Sequence, residues 1–444
     1  MRRYPGESNT KPPAYWWLIR LLYNLAFPVV LLLLLPGYLR RMIKRGSFRK
    51  DFGQRFGRYS PEMKATLEEG HWIWVHAVSV GEVLIALKLI RSMKEEHPNL
   101  KVVLSTTTST GRQLAADAKL DWVQLIYNPI DFIPFIRTAL EEIQPRAIIL
   151  VEAEVWPNLV SEAQFRGIPV ALVNARLSPR SQKRYRLARA LVAPLFNQLD
   201  LICVQEPEDV EKWESFGVRP EKIYCIGSIK FDDQGESTGE LRPDFTKLLA
   251  DLGVKPGAPV IVGGSTHAGE ELILAEITRR LRERFPDLFL ILVPRHVERT
   301  EEIRTELTHA GFRVAQRSKA NAESKPEMLL VDTTGELRDW YRFASVVFVG
   351  KSLTAKGGQN PLEPVSVGKP VLFGPNLQNF EIIHRQLLSS SATIPIENPA
   401  GLEQALATLL ENPEKQKELA TRAAAILDRH RGATNRTRAL LALH

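Results

Sequence analysis

Residues 72–94 read WIWVHAVSVGEVLIALKLIRSMK, and this stretch decides the fold class. Its apolar part, residues 72–78, predicts a buried strand, and the amphipathic residues 83–94 predict a helix directly after it. Similar apolar runs recur at residues 102–108, 147–151 and 170–173. Strands that alternate with helices in this way predict an α/β fold with a parallel, doubly wound sheet.

The same alternation restarts in the second half of the chain. Strand-like runs occupy residues 259–262, 288–293, 328–331, 346–349 and 370–373. Helical patterns lie between them, and a long helical tail follows Leu402. The intervening residues 232–243 have no periodicity and are rich in Asp, Glu, Gly and Ser, which is typical of a linker. Two Rossmann-like domains joined by a linker predict an interdomain cleft, where ligands usually bind.

These patterns divide the 444 residues into four segments. We predict an amino-terminal membrane anchor with a basic flank (residues 1–45) and a first Rossmann-like domain (residues 46–231). A linker (residues 232–245) and a second Rossmann-like domain with carboxyl-terminal helices (residues 246–444) follow. Domains usually contain 50–250 residues, so this length fits two of them.

The overall charge favours anionic partners. The net charge is +8 and the pI is about 9.4, which favours nucleic acid, anionic lipid or phosphorylated substrates. Aromatic residues do not interleave with lysines in a nucleic-acid-binding pattern, so no nucleic-acid partner is expected. Cys203 and Cys225 are the only cysteines, which fits a reducing compartment. No His, Cys, Asp and Glu residues have the spacing of a metal site, and no metal is expected.

The amino terminus contains a candidate membrane anchor. Residues 16–35 are almost wholly apolar, interrupted by Arg20 and Asn24, and about 20 apolar residues can span a bilayer. A basic cluster between Arg40 and Lys50 would place the remainder in the cytoplasm. The alternatives are a signal peptide, which the missing cleavage site disfavours, and a segment kinked at Pro28 that lies in one leaflet.

Glu82 follows the first predicted strand of the deciding stretch. Open α/β proteins bind substrates at this carboxyl edge of the sheet, so Glu82 is a candidate general base that removes a proton from an acceptor hydroxyl. Ser79 and Glu82 also have the spacing of a capping box, in which each side chain satisfies a backbone N–H of the other. Both interpretations remain open at this point.

Three more segments of the first half follow predicted strands. Glu152 and Glu154 come directly after residues 147–151, and strand alternation would place them on one face, as a catalytic pair or as partners in ion pairs. Residues 174–178 form either an ordinary polar loop or part of the same site. Lys230 ends the half and would balance negative charge on a leaving phosphate, unless it is simply solvated.

The second half carries the nucleotide-binding candidates. Residues 263–267 (GGSTH) follow a predicted strand and precede a helix, where small residues would let backbone N–H groups approach a phosphate. Pro294 and Arg295 follow the next strand. Thr334, Gly335 and Glu336 follow another, and the threonines there would serve equally well as helix caps.

Residues 357–363 (GGQNPLE) form the most specific of these motifs. Asn360 fits a helix N-cap, Pro361 the first helical position and Glu363 the reciprocal capping position. The start of a helix alone would therefore account for the motif, but the motif also predicts an anion-binding site behind a glycine loop. Convergence of four such loops predicts nucleotide binding.

Together, these motifs resemble the Kdo transferases, the 3-deoxy-D-manno-octulosonic acid transferases of lipopolysaccharide biosynthesis. The motifs that carry the resemblance are residues 76–82 (HAVSVGE), 152–158 (EAEVWPN), 174–178 (NARLS), 227–232 (GSIKFD) and 357–363 (GGQNPLE). They occur in the family's order and cover most of the chain. One departure is Lys351, which stands where the family pattern holds a second glycine.

The resemblance implies a GT-B fold and an inverting transfer of Kdo from CMP-Kdo, the donor substrate, without a metal or other cofactor. It implies the lipid A precursor (lipid IVA) as acceptor and attachment to the cytoplasmic face of the inner membrane. By position in the motifs, Glu82 would be the proton acceptor, and Glu152 and Lys230 would support the transition state. The implied CMP-binding residues are Pro294, Arg295, Thr334, Gly335, Glu336, Asn360, Pro361, Leu362 and Glu363.

Two other functions fit parts of the pattern. A nucleotide-sugar epimerase could share the two-domain architecture, but it would have little use for an apolar anchor. A non-catalytic protein that binds anionic lipid would explain the anchor and the positive charge, but it would not need the loops of the second half.

Overall fold

The computed structural model describes residues 12–44, 51–232, 242–319 and 325–441. Its contacts divide the chain into two units. Unit 1 comprises Met1–Asp232 and Gly432–His444, and unit 2 comprises Asp233–Arg431. Part of the predicted basic flank (residues 45–50) and most of the predicted linker (residues 233–241) lie outside the described residues.

Unit 1 alternates strands and helices as the deciding stretch predicts. Its strands are β1 (Trp72–His76), β2 (Lys101–Thr106), β3 (Val123–Tyr127), β4 (Ala147–Val151), β5 (Val170–Ala175), β6 (Leu201–Val204) and β7 (Ile223–Cys225). Its helices up to Asp232 are α1 (Ala14–Lys44), α2 (Pro61–Leu67), α3 (Val80–Glu96), α4 (Ser109–Asp117), α5 (Ile133–Ile143), α6 (Pro157–Phe165), α7 (Pro179–Leu187), α8 (Arg189–Phe196), α9 (Pro207–Ser215) and α10 (Ile229–Asp232).

The strands of unit 1 form one parallel sheet with the order β3-β2-β1-β4-β5-β6-β7. The winding direction reverses between β1 and β4, which therefore lie side by side. Side chains of these strands alternate between two cores. Trp74 and Ile148 pack on one face, and Val75 and Ile149 pack on the other. Because helices cover both faces, the strand sequences are almost continuously apolar.

Helix α1 packs against unit 1, where Trp16 joins the core that contains Trp74. Within the described residues, one helical segment, Ala14–Leu33, is long and apolar enough to cross a membrane. The predicted membrane anchor therefore corresponds to a helix that also contacts the folded domain.

The strands of unit 2 are β8 (Val260–Thr266), β9 (Phe289–Pro294), β10 (Val314–Gln316), β11 (Met328–Leu330), β12 (Val346–Val349) and β13 (Val371–Leu372). Its helices are α11 (Pro243–Asp251), α12 (Glu270–Leu281), α13 (Thr300–His309), α14 (Leu337–Phe343), α15 (Leu362–Ser366), α16 (Glu381–Ser389), α17 (Pro399–Glu411) and α18 (Pro413–His430). These strands form a second parallel sheet with the order β10-β11-β9-β8-β12-β13, and its winding direction reverses between β8 and β12.

The carboxyl end of the chain differs from the predicted domain division. The last helix, α19 (Ala433–Leu441), belongs to unit 1 and packs on α3, although residues 246–444 were predicted to form one domain. The Asp232 carboxylate accepts hydrogen bonds from the backbone N–H groups of Gly432 and Thr434, which holds the start of α19. Helix α11 begins at Pro243, so the predicted linker also ended too late.

Candidate active site

Glu82 lies in the first turn of α3, where the chain leaves β1. Ser79 is the N-cap, and its hydroxyl accepts a hydrogen bond from the Glu82 N–H at 3.3 Å. The same hydroxyl donates to Glu82 Oε1 at 2.8 Å, and the Val78 N–H donates to Glu82 Oε2 at 2.7 Å. The Ser79 half of the predicted capping box is therefore confirmed, but the Glu82 carboxylate accepts the N–H of Val78 and not that of Ser79. This capping does not exclude a catalytic role, because these bonds also fix the carboxylate at the carboxyl edge of the sheet.

Glu152 and Glu154 follow β4, the neighbour of β1. Glu152 has a φ of 62°, so the extended chain ends at Val151 and strand alternation does not set the direction of these side chains. Burial and the nearby Glu82 carboxylate raise the pKa of Glu152, while Arg176 and Lys230 oppose this shift. Burial, Glu82 and Glu152 raise the pKa of Glu154 to about 7, and a hydrogen bond from Trp156 opposes this.

Lys230 belongs to the same group of charges. It lies in the short helix α10, and the exclusion of water by neighbouring protein atoms lowers the pKa of its ammonium group. The Arg176 guanidinium lowers this pKa further, while Glu152 raises it. Side chains from the start of α3, the ends of β4 and β5, and α10 are therefore close enough to affect the pKa values of Glu152 and Lys230.

Asn174 connects two of these elements. It has a φ of 52°, in the left-handed region that asparagine tolerates better than most residues. Its side-chain oxygen accepts hydrogen bonds from the Ile229 N–H at 2.9 Å and the Ser228 hydroxyl at 3.3 Å. The end of β5 thus positions the segment that carries Lys230. The sequence motif NARLS contained this residue, but its long-range partner could not be read from local spacing.

The carboxyl edge of unit 1 therefore gathers three carboxylates and two cations. Glu82, Glu152 and Lys230 were predicted as site residues, and the structure brings them together. Glu154 and Arg176 complete the group, although the sequence did not single out Arg176. Such an edge can accept a proton and can balance charge that develops on a leaving group.

The glycine pair of residues 263–267 is placed differently from its prediction. Gly263 and Gly264 lie inside β8 and not in a loop after it. A Cβ atom at Gly264 would lie 2.1 Å from the Tyr341 hydroxyl, and one at Gly263 would lie 2.6 Å from Leu274. Close packing inside unit 2 therefore requires these glycines, and the expectation of a phosphate-binding glycine pair here was wrong.

A buried carboxylate organises the loop that follows β12. Glu270, at the start of α12, accepts hydrogen bonds from the backbone N–H groups of Lys351, Ser352 and Leu353 at 2.7–3.1 Å. It also accepts one from the His267 N–H at 2.8 Å. Lys351 has a φ of 56°, so this position uses the left-handed conformation that glycine favours. The sequence analysis did not identify Glu270, since three of its four partners lie more than 80 positions away along the chain.

Asn360 and Glu363 begin the next helix, with one difference from the prediction. Helix α15 starts at Leu362, and Pro361 precedes it. The Asn360 side-chain oxygen accepts a hydrogen bond from the Leu362 N–H at 3.1 Å, and its amide group donates to Glu363 at 3.4 Å. The helix has only five residues, so backbone and side-chain donors, more than a helix dipole, would bind an anion here.

The loop before this helix requires its second glycine. Gly358 has a φ of 69°, and a Cβ atom there would lie 2.8 Å from the Leu377 side chain. Its N–H donates to the Lys351 carbonyl at 2.9 Å, which joins the motif GGQNPLE to the loop held by Glu270.

Arg295, from one of the other predicted loops, and Arg338, on α14, lie near Glu363. Burial raises the pKa of its carboxyl group, while the Asn360 hydrogen bond and the nearby Arg295 and Arg338 guanidinium groups lower it. Arg295 directly follows β9, and its N–H donates to the Thr266 carbonyl at 3.1 Å. The loops after β9 and β12 and the start of α14 therefore converge at the carboxyl edge of this sheet.

Thr334, Gly335 and Glu336 lie immediately before α14. Thr334 and Gly335 are exposed, and Gly335 has a φ of 83°. The Thr333 hydroxyl donates to Glu336 at 2.6 Å, and Arg317 lies 3.4 Å from the same carboxylate. Glu336 is thus held by its neighbours, and Thr334 and Gly335 remain accessible. Across the described ranges, no group of three or more His, Cys, Asp and Glu side chains could hold a metal ion.

The amino-acid sequence is similar to known transferases along most of its length. A family model described as 3-deoxy-D-manno-octulosonic-acid transferase (kdotransferase) matches residues 50–233. A 3-deoxy-D-manno-octulosonic acid transferase of Haemophilus influenzae is 33% identical over 402 residues, covering 90% of this chain and 92% of that protein. One of Bordetella pertussis is 34% identical over 395 residues, covering 86% and 89%.

A solved structure shares the architecture. The crystal structure of MurG from Acinetobacter baumannii matches 84% of this chain and 99% of that one, with a TM-score of 0.53 and 14% identity. At this identity the likeness concerns the fold alone. It confirms the predicted GT-B fold, with two Rossmann-like domains built on parallel sheets.

Proposed function

The chain belongs to the 3-deoxy-D-manno-octulosonic acid (Kdo) transferase family of lipopolysaccharide biosynthesis, and from this premise we propose that it transfers Kdo from CMP-Kdo to the lipid A precursor, lipid IVA. We further propose that unit 1 activates the acceptor and that unit 2 binds CMP. One observation carries the proposal: Glu82, Glu152 and Lys230 share the point of unit 1 where the winding of the sheet reverses. Ligands of open α/β sheets bind at such points.

In the proposed reaction, Glu82 accepts the proton of an acceptor hydroxyl. The hydroxyl oxygen forms a bond to the anomeric carbon of Kdo, and the bond from that carbon to the phosphate oxygen of CMP breaks. Its electron pair leaves with CMP, and the configuration inverts. The capping bonds from Val78 and Ser79 support this role, because they hold the carboxylate still and leave its remaining lone pairs for the acceptor.

Lys230 and Arg176 supply positive charge close to Glu152, which suits stabilisation of the phosphate that departs. Because side chains can balance this charge, we propose that the transfer needs no metal and no other cofactor. Glu152 would in turn hold the two cations in place.

The donor would bind at the loops of unit 2. Pro294, Arg295 and the exposed Thr334–Gly335 pair supply a guanidinium group and open backbone at the carboxyl edge of the sheet. Asn360, Pro361, Leu362 and Glu363 supply polar groups next to them, and the Glu363 carboxylate can accept hydrogen bonds from ribose hydroxyls. With Glu336, these are the residues implied by the family's motifs.

We place the protein at the inner membrane, with α1 as its anchor and both units on the cytoplasmic side. The basic residues that follow the apolar segment support this orientation. Its partners would then be CMP-Kdo, lipid IVA and the anionic membrane surface. The epimerase and the purely lipid-binding alternatives are not favoured, since the relatives that match most of the chain are Kdo transferases.

Incubation of the detergent-solubilised protein with CMP-Kdo, generated in situ, and lipid IVA tests the proposal. We expect mass spectrometry of the lipid to show a gain of one or more Kdo residues, with release of CMP and without added metal. An unchanged lipid mass would contradict the proposal. A donor that epimerises without an acceptor would favour the epimerase, and full activity of Glu82→Ala would remove Glu82 from the mechanism.

A further inference from the structure

Helix α1 has one face that is buried against unit 1. The buried and half-buried residues of this inner face recur every three or four positions, which is the spacing of one helix side. They are Trp16, Ile19, Arg20, Tyr23, Asn24, Phe27, Pro28 and Leu31. The inner face therefore runs along almost the whole candidate membrane span, Ala14–Leu33.

The contacts of the inner face are polar and specific. Arg20 donates to Asn158 at 3.0 Å and forms a buried ion pair with Glu162, both on α6. Asn24 and Asn158 exchange two amide hydrogen bonds of 2.9 Å each. The residues that interrupt the apolar sequence are thus the residues that attach α1 to the domain.

Other contacts extend the attachment along the helix. The Trp16 indole N–H donates to the Ser161 hydroxyl at 3.3 Å, and the Tyr23 hydroxyl donates to Asp131 at 3.0 Å. Phe27 stacks on Phe132, with 6.4 Å between ring centroids. Together with the Arg20 and Asn24 bonds, these contacts fix α1 over about three turns.

The opposite face of α1 is apolar and exposed. Its members are Trp17, Leu18, Leu21, Leu22, Leu25, Val29, Val30, Leu32 and Leu33, each about half exposed or more. Exposed leucines also occur on α8, which contacts α1, at Leu191, and on α7 at Leu187. A contiguous apolar surface of this kind marks an interaction site.

Crossing the bilayer as a free span would require α1 to leave these contacts. Arg20 would then enter hydrocarbon without Glu162, and an unpaired arginine there is costly. We infer that α1 stays attached to unit 1 and lies in the plane of the membrane, with its outer face inserted into one leaflet of anionic phospholipid. This inference rests on the membrane attachment proposed above, and it selects the in-plane alternative for the anchor.

The charge beside the outer face matches an anionic lipid surface. Helix α7 and the start of α8 expose a cluster of basic side chains next to Leu187 and Leu191. The cluster consists of Arg180, Lys183, Arg184, Arg186 and Arg189. Basic residues near a membrane surface attract anionic headgroups, and apolar neighbours insert between them.

The attachment also connects the membrane to the candidate active site. Helix α6, which binds Arg20 and Asn24, begins directly after the segment that carries Glu152 and Glu154. Its first N–H groups donate to Asp131, which also accepts the Tyr23 hydrogen bond. An in-plane α1 would therefore hold the carboxylates at a fixed height above the lipid.

Depth measurements on the full-length protein test the inference. Single cysteines at Leu18, Leu22, Leu25, Val29 and Leu33, in a Cys225→Ser background that keeps the buried Cys203, are spin-labelled in vesicles with phosphatidylglycerol. We expect all five labels at a similar depth, roughly 5–10 Å below the headgroups. A span would instead spread their depths over about 22 Å, since each residue adds about 1.5 Å, and this result would overturn the inference.

A pair of neighbouring variants gives a second readout. In detergent, Asn24→Ala should lower the melting temperature, because Asn158 loses its partner, whereas Leu25→Ala on the outer face should leave it unchanged. In vesicles, Leu25→Asn should weaken binding, and Asn24→Ala should not. Equal melting temperatures for both alanine variants would contradict the attachment.

Flotation of the wild-type protein with vesicles separates the two proposals. If the protein does not float, both the membrane attachment and the in-plane arrangement are contradicted. If it floats but the labels lie at widely different depths, only the in-plane arrangement is contradicted.

Discussion

The carboxyl edges of the two sheets are built alike but use their carboxylates differently. Each edge contains non-glycine residues in the left-handed region, Glu152 and Asn174 in unit 1 and Ser265 and Lys351 in unit 2. In unit 2, the buried Glu270 carboxylate is occupied by four backbone N–H groups, and the loop around it becomes a fixed support.

In unit 1, burial and the negative charge of nearby carboxylates raise the pKa values of Glu152 and Glu154. In unit 2 a single carboxylate is thus satisfied by backbone donors, whereas in unit 1 several carboxylates share one sheet edge with two cations. This difference fits the proposed division, in which unit 1 carries out proton transfer and unit 2 binds the donor. Substitutions in each unit test this division.

The largest effect is expected for Glu82→Gln. Loss of a general base typically lowers the rate by about 10²–10⁴-fold, so kcat for Kdo transfer should fall by that amount while the fold persists. Ser79→Ala is the comparison variant, because it removes the cap and one hydrogen bond to the Glu82 carboxylate but keeps the carboxylate itself. It should cost about 1 kcal/mol of stability and change kcat less than tenfold. Equal losses of kcat in both variants would reduce Glu82 to a capping residue.

Lys230→Met should have the next largest effect. Removing one group that stabilises transition-state charge costs about 10²-fold in kcat, and the KM for CMP-Kdo should change much less. Lys230→Arg keeps the charge and should retain more activity. Rate measurements on the three proteins check this, and a Met variant as active as wild type would show that Lys230 is only a solvated lysine.

The raised pKa of Glu154 predicts that the free energy of unfolding depends on pH. Its pKa in the folded protein, about 7, lies above its ordinary value of 4.5, so the folded state binds the proton more tightly. The contribution of this proton to the free energy of unfolding is fully present below about pH 4.5 and is lost as the pH rises to about 7. The loss amounts to roughly 3 kcal/mol at most. Melting temperatures from pH 5 to pH 8 should fall less in Glu154→Gln than in wild type. The exposed Glu414→Gln serves as control, and parallel curves for wild type and Glu154→Gln would refute the shift.

The smallest effect is expected in unit 2. Asn360→Ala removes the hydrogen bonds to Leu362 and Glu363, each worth about 1 kcal/mol. The KM for CMP-Kdo should rise roughly tenfold with little change in kcat. Asn435→Ala on α19 is a matched control that should leave both constants unchanged. A fall in kcat alone would assign Asn360 to the chemical step, and this would contradict the assignment of chemistry to unit 1 and binding to unit 2.

The structural features that could be predicted are those that residues close together in the sequence determine. Strand β12, the capping box at Glu82 and the helix start after Asn360 were all recognisable, because periodicity and capping are short-range patterns. The sequence analysis did not single out strands β3, β6, β7 and β10, and the last two contain only three residues each, which carry little periodicity.

Long-range partners could not be predicted. Glu270 binds a loop 81–83 positions away, and Asn174 holds the Lys230 segment from 54–55 positions away. Likewise, Arg20 and Asn24 looked like interruptions of an apolar span, and their partners on α6 became visible only in the fold. Such contacts depend on which strands become neighbours, and no local pattern encodes that.

Calorimetric titration of CMP tests the division between the two units most directly. Wild type, Glu82→Gln and Glu363→Gln would be titrated under the same conditions. We predict that Glu82→Gln binds CMP with a Kd within about twofold of wild type, although its kcat falls about 10²–10⁴-fold, and that Glu363→Gln binds at least about tenfold more weakly. Loss of CMP binding in Glu82→Gln, with unchanged binding in Glu363→Gln, would contradict the account.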